Sequence, residues 1–122
     1  MAMKKNKVDQ FNIYRERMNE KILQAPNNKI LKRIFSIDTM AYADGALNSK
    51  TKELLGLVAS MVLRCDDCIA YHLQQCYEQG TTTDELMETF GIANLVGGSI
   101  VIPHTRRALE FWEELNDKST SK

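Results

Sequence analysis

The chain has 122 residues, 43% hydrophobic and 26% charged, and its sixteen basic residues balance sixteen acidic ones to a formal net charge of zero. That length provides one ordinary domain, and the composition is globular rather than disordered. A nucleic-acid binder carries a basic excess to displace counterions from phosphates, so the charge balance argues against DNA, RNA and anionic membrane as main partners.

The N-terminus, Met1-Ala2-Met3-Lys4-Lys5-Asn6-Lys7, leads into a charged amphipathic segment with no apolar h-region, so no secretory signal is expected. The apolar stretches at residues 54–63 and 92–103 are too short or too interrupted to span a bilayer. The expected compartment is the cytoplasm. There a close cysteine pair points to catalysis or metal binding rather than to a structural disulfide framework.

From residue 8 to residue 24 the apolar positions Val8, Phe11, Tyr14, Met18 and Ile22 mark a first helix, ended by Pro26-Asn27-Asn28. A second stripe uses Ile30, Leu31, Ile34, Phe35, Ile37 and Met40, closed by Asp44-Gly45. Asn48 or Ser49 can cap a third helix running to about Leu63. A fourth should begin near Cys65 and end at Gly80, a residue suited to a left-handed cap. Thr82, three residues before Glu85, offers a capping box for a fifth helix reaching about Ile100. Within it, Gly97-Gly98 suits close backbone approach more than helix stability. Pro103 fits the first turn of a sixth helix carrying Ala108, Leu109, Trp112 and Leu115, and residues 116–122 read as a polar tail. The fold class is therefore all-α, a compact bundle of about six helices. Residues 54–63 are apolar around most of the helix and residues 93–102 carry no charge. Such faces need cover on all sides, which predicts a homo-oligomer.

Chemistry concentrates in Cys65-Asp66-Asp67-Cys68-Ile69-Ala70-Tyr71-His72. On a helix, positions three and four apart share a face, so Cys65, Cys68 and His72 align. The two sulfurs can reach disulfide distance with little backbone movement. The N–H groups that open a helix stabilise a thiolate, and His72 lies one turn beyond Cys68 as a general base. Asp66 and Asp67 oppose the thiolate by charge. As alternatives, the cysteines are buried small hydrophobes and His72 is a satisfied core residue. A metal site using Cys65, Cys68, His72 and Cys76 is disfavoured. Those positions spread over roughly 16 Å of helix, whereas zinc ligands all lie within about 2.3 Å of the ion. No metal is expected, and Cys76 reads as buried filler.

In spacing and order, Glu53, eleven intervening residues, then Cys65, Cys68 and His72, the chain resembles the carboxymuconolactone decarboxylase and alkyl hydroperoxidase D-like (AhpD-like) family. The similarity runs over residues 35–115 and includes Val96-Gly97-Gly98-Ser99-Ile100-Val101-Ile102-Pro103-His104. On that resemblance, residues 1–122 form a single family domain with its core at about 30–115. The resemblance implies a helical subunit assembling into trimers or hexamers, the hexamer favoured. It also implies that Cys68 attacks a peroxide, Cys65 closes the disulfide, and His72 with Glu53 forms the proton relay. Without the family spacing, Glu53 reads as a surface helix residue. The helix-terminus argument alone favours Cys65 as the thiolate, whereas the resemblance assigns the attack to Cys68. The best-known peroxidase-linked members carry a His where this chain has Asp67. Asp67 and His104 are possible pocket residues, His104 with a surface or packing role as the alternative.

The leading functional expectation is a hydroperoxide reductase of peroxiredoxin type, served by an external dithiol reductant. No flavin or nicotinamide fingerprint is present, so no cofactor is expected beyond the redox-active Cys65–Cys68 disulfide. The competing expectations are a cofactor-free decarboxylase-like enzyme using acid–base residues alone, and a non-catalytic oligomeric module.

Overall fold

Side-chain caps decide where most helices begin. Asn6 accepts a hydrogen bond from the Asp9 amide and opens α1 (Lys7–Gln24); Asn48 accepts from Thr51 and opens α3 (Ser49–Val62). Each satisfies one of the amides that a helix start leaves without a backbone partner. Thr82 and Glu85 form the reciprocal capping box that opens α5 (Thr83–Gly97). The remaining helices are α2 (Lys29–Ala41), α4 (Asp66–Glu78) and α6 (Ile102–Thr120), with a 3-10 turn at Ser99–Val101 leading into α6. The structure, a computed structural model, describes residues 6–120. The lysine-bearing start of the chain and the end of the polar tail lie outside them. Among the described residues there is no strand, and the expected six-helix, all-α architecture is observed.

Two expected boundaries differ. The fifth helix stops at Gly97 instead of near Ile100, because Gly98 adopts φ 85°, ψ −179°, a combination open essentially to glycine alone. The polar tail is not a tail from Asn116 onward: α6 continues to Thr120. Nothing before that point breaks it, and Leu115, on its last apolar turn, is buried. Gly80, with φ 83°, follows α4 as the left-handed residue the sequence predicts.

The core is built by α3, α4, α5 and α6, with Leu57, Met61, Leu73, Leu86, Val101 and Trp112 almost fully buried. Trp112 Nε1–H donates to Thr83 Oγ1 at 3.0 Å, so the largest core side chain has no unpaired polar group. The α1 helix lies across α4 and α6. Asn12 and Gln74 exchange two amide hydrogen bonds of 2.8 Å, and Phe11 meets Phe111 edge-on.

The second helix is the exception to the sequence pattern. None of its stripe is fully buried among the described residues: Phe35 is half-buried, Ile30 and Met40 are each 70% exposed, and Ile34 and Ile37 are more than half exposed. Further apolar exposure falls on α5 and at the end of α3, at Leu95, Val96 and Leu63. Among the described residues, no helix is long and apolar enough to cross a membrane.

Candidate active site

Cys65 is the N-cap of α4, and its sulfur accepts a hydrogen bond from the Cys68 amide at 3.2 Å. Cys68 stands at the third helical position, and the two cysteines are joined as a disulfide across a Cα–Cα distance of 5.3 Å. The loop before them turns sharply at Arg64, which has φ 61°. The two sulfurs differ in surroundings. Cys65 is half-buried, while Cys68 is exposed and borders a cavity of about 390 Å³. Its walls are Phe11, Tyr14 and Met18 of α1 facing Cys68, Tyr71 and His72 of α4, with Asp67 at the edge. Arg15 lies over the Tyr71 ring at 4.4 Å, a cation–π contact that fixes one wall.

His72 and Glu53 are both buried, at 8% and 3% exposure, and His72 Nδ1 lies 2.8 Å from Glu53 Oε1. A carboxylate can only accept, so the proton of that bond sits on Nδ1, and Nε2 carries the lone pair. Glu53 is thus no surface residue. The packing of α3 on α4, the most extensive helix pair in the molecule, carries it to the imidazole. The arrangement is that of a base held by an acidic partner: the carboxylate orients the ring.

Two residues that the sequence did not single out complete this environment. Tyr42, the C-cap of α2, places its hydroxyl 3.5 Å from His72 Nε2, at the outer edge of hydrogen-bonding range. Burial first, then the Glu53 carboxylate, pushes the Tyr42 pKa up, and burial does the same for Tyr71. Both phenols therefore face the imidazole as neutral hydroxyls. Gly56 is the second. A Cβ there would stand 2.5 Å from the Tyr42 hydroxyl and 2.7 Å from His72 Cε1, so only glycine lets the ring sit against α3. An isolated glycine three residues after Glu53, inside a helix of good formers, was the available signal. For Tyr42 the sequence held none.

Cys76 is fully buried in the core, and desolvation pushes its thiol up to about 12. It is packing, as expected. His104 does not border the Cys68 cavity; its Nδ1 is 2.7 Å from Asp66 Oδ1 on the neighbouring face of α4. No group of three or more His, Cys, Asp or Glu side chains among the described residues could hold a metal ion.

Comparison with known proteins is consistent with this geometry. A Thermotoga maritima protein matches in two crystal structures at 50% identity, with TM-scores of 0.88 and 0.84. The first alignment covers 93% of this chain and 98% of that one, the second 91% and 93%. The second structure is described as a carboxymuconolactone decarboxylase family protein for which involvement in an antioxidative response has been suggested. A family protein from Legionella pneumophila matches at 30% identity and TM-score 0.74, covering 87% of this chain and 96% of that one. Among curated sequences, an uncharacterised protein of the Paracoccus denitrificans cox locus is 27% identical over 81 residues, 66% of this chain and 73% of that protein. The model of the carboxymuconolactone decarboxylase family matches residues 28–111, which contain Glu53, Cys65, Cys68 and His72, and the chain belongs to that family.

Proposed function

We propose that the protein is a thiol-dependent hydroperoxide reductase. One observation carries the reading: of the paired cysteines, Cys68 opens onto the cavity that it shares with His72, and His72 is backed by buried Glu53. In the reduced protein, His72 Nε2 takes the Cys68 thiol proton. The thiolate attacks the distal oxygen of a hydroperoxide; an S–O bond forms, the O–O bond breaks, and the proton leaves with the alcohol or water. Cys65 then attacks the Cys68 sulfenic acid, closing the disulfide and releasing water. An external dithiol reduces the disulfide by two exchange steps and is itself oxidised. No flavin or nicotinamide is needed.

The exposed apolar faces of α2 and α5 support a homo-oligomer; on the family resemblance we take it to be a trimer or hexamer, the hexamer favoured, and we place it in the cytoplasm. The second reading is a cofactor-free decarboxylase-like enzyme. It is favoured by the family description and by an acid–base pair, Glu53 and His72, that needs no thiol to act beside an apolar-walled cavity.

One experiment separates the two. Free thiols are counted before and after one equivalent of hydroperoxide, with Cys68→Ser in parallel. The redox reading expects two thiols lost per wild-type chain, a Cys65–Cys68 link by mass mapping, and no such link in C68S. Unchanged thiols, together with turnover of a carboxylated lactone by a variant lacking both cysteines, establish the second reading instead.

A further inference from the structure

Asp66 is the first residue of α4 and directly follows Cys65. Its carboxylate is held at both oxygens from the first turns of α6: Oδ1 lies 2.7 Å from His104 Nδ1, and Oδ2 accepts from Arg107 Nε at 3.0 Å. Asp66 accepts the His104 Nδ1 proton. The Arg107 Nη2 atom, 3.2 Å from the same nitrogen, therefore meets it donor to donor, as a packing contact. The cluster is not part of the Glu53–His72 pair, and none of its three residues borders the cavity of Cys68.

Its position gives it an electrostatic consequence. The first turn of α4 presents backbone N–H groups, which favour a thiolate over a disulfide sulfur. A carboxylate one residue from Cys65 works against them. A guanidinium paired with that carboxylate offsets part of its field at the sulfurs, and the His104 N–H spreads what remains. The disulfide takes up two electrons and two protons to become two thiols, one of which ionises in use. Positive charge near the pair therefore shifts this equilibrium toward the dithiol, and negative charge toward the disulfide.

We propose that Arg107 and His104 are positioning residues for the cysteine pair: by engaging Asp66 they withdraw its charge from the first turn of α4 and set the disulfide–dithiol equilibrium. The inference rests on the reading of Cys65 and Cys68 as a redox-active pair. Asp66 and Arg107 are each about half exposed, at 48% and 52%, so solvent screens the effect. A shift of roughly threefold in the equilibrium constant is the size expected, equivalent to about 15 mV for a two-electron couple.

The test equilibrates the full-length protein with a dithiothreitol redox buffer at fixed pH, in low salt and in about 1 M salt, and measures the disulfide fraction by thiol trapping. Arg107→Gln should move the equilibrium roughly threefold toward the disulfide, with His104→Gln moving it the same way by less. Asp66→Asn should move it in the opposite direction. Arg107→Lys should stay near wild type, because the charge remains. In the D66N background Arg107→Gln should have a smaller effect, because Asp66 no longer holds the guanidinium at the first turn of α4, and all shifts should shrink in high salt. A merely structural role moves thermal midpoints and gives no pair of shifts of opposite sign. The proposal is overturned if R107Q leaves the equilibrium unchanged in low salt, if R107Q and D66N shift it alike, or if the arginine effect is as large without Asp66 as with it. A wild-type pair that never equilibrates with the dithiol overturns the redox reading and this inference together. A wild type that equilibrates while the variants match it overturns this inference alone.

Discussion

Gly56 and His72 approach so closely that a methyl group on the glycine would sit 2.7 Å from the imidazole Cε1 and 2.9 Å from Nε2. Helix α3 therefore meets α4 at a contact where the ring of the proposed base replaces a side chain. Alanine at this position gains about 1 kcal/mol of helix propensity but has to push the ring off the Glu53 carboxylate. Gly56→Ala is expected to fold with a lowered thermal midpoint, because the buried Glu53 carboxylate loses part of its partner, and to lose about tenfold or more of its peroxide-driven thiol oxidation rate. Stopped-flow oxidation alongside a melting curve checks both halves. A variant as fast as wild type would show that the ring position is not critical.

The Glu53–His72 pair should separate stability from chemistry. Replacing His72 by Leu leaves a carboxylate at 3% exposure without its partner. A loss of about 3 kcal/mol of unfolding free energy is expected. Changing Glu53 to Leu as well should restore a large part of that loss. Glu53→Gln keeps an acceptor for Nδ1 and removes only the charge. Its stability should hold while thiol oxidation slows about 10- to 100-fold. Urea titration and oxidation kinetics on the same samples decide it.

Cys76 should stay silent while the other two cysteines react. Its folded pKa of about 12 lies above the ordinary thiol value, so the folded state holds the proton that the unfolded chain releases. Stability from this group is complete below about pH 8.5, the free-thiol value. It is lost as pH rises from there through about 12. Alkylation of the reduced protein at pH 8 should label two cysteines, the third only after denaturant is added. Cys76→Ala should flatten the fall of stability above pH 9, at the cost of a small cavity.

Gly98 and Gly80 test backbone strain without steric conflict, because a Cβ at either would meet no atom within 4 Å. Gly98, at φ 85° and ψ −179°, lies in a region closed to other residues, so Gly98→Ala should cost about 1–3 kcal/mol. Gly80, with φ 83° after α4, occupies a helix-ending position that asparagine tolerates. Gly80→Asn should cost less than Gly98→Ala. Chemical denaturation of the two variants compares them, and equal costs would contradict the backbone argument.

Local grammar was legible in the chain. The caps Asn48 and Thr82, the glycine after α4, Pro103 in the first turn of α6 and the closeness of Cys65 to Cys68 depend on neighbours within a few residues, and the structure has them where the spacing put them. The stop of α5 was less legible. A glycine pair marks it, yet only the positive φ of Gly98 shows which of the two residues ends the helix.

Contacts between helices were decided by tertiary structure. Glu53 and Cys68 are fifteen residues apart on different helices, and no periodicity says that the carboxylate turns inward to His72. Tyr42 reaches the same imidazole from the end of α2, and Arg107 and His104 reach Asp66 from α6. The apolar stripe of α2 carries the same lesson in reverse: its periodicity predicts burial, but among the described residues too little packs on it to bury any of its side chains fully. Sequence spacing specifies which face a side chain occupies on its own helix; what that face meets is set by how whole helices pack, because those contacts join residues that no local pattern relates.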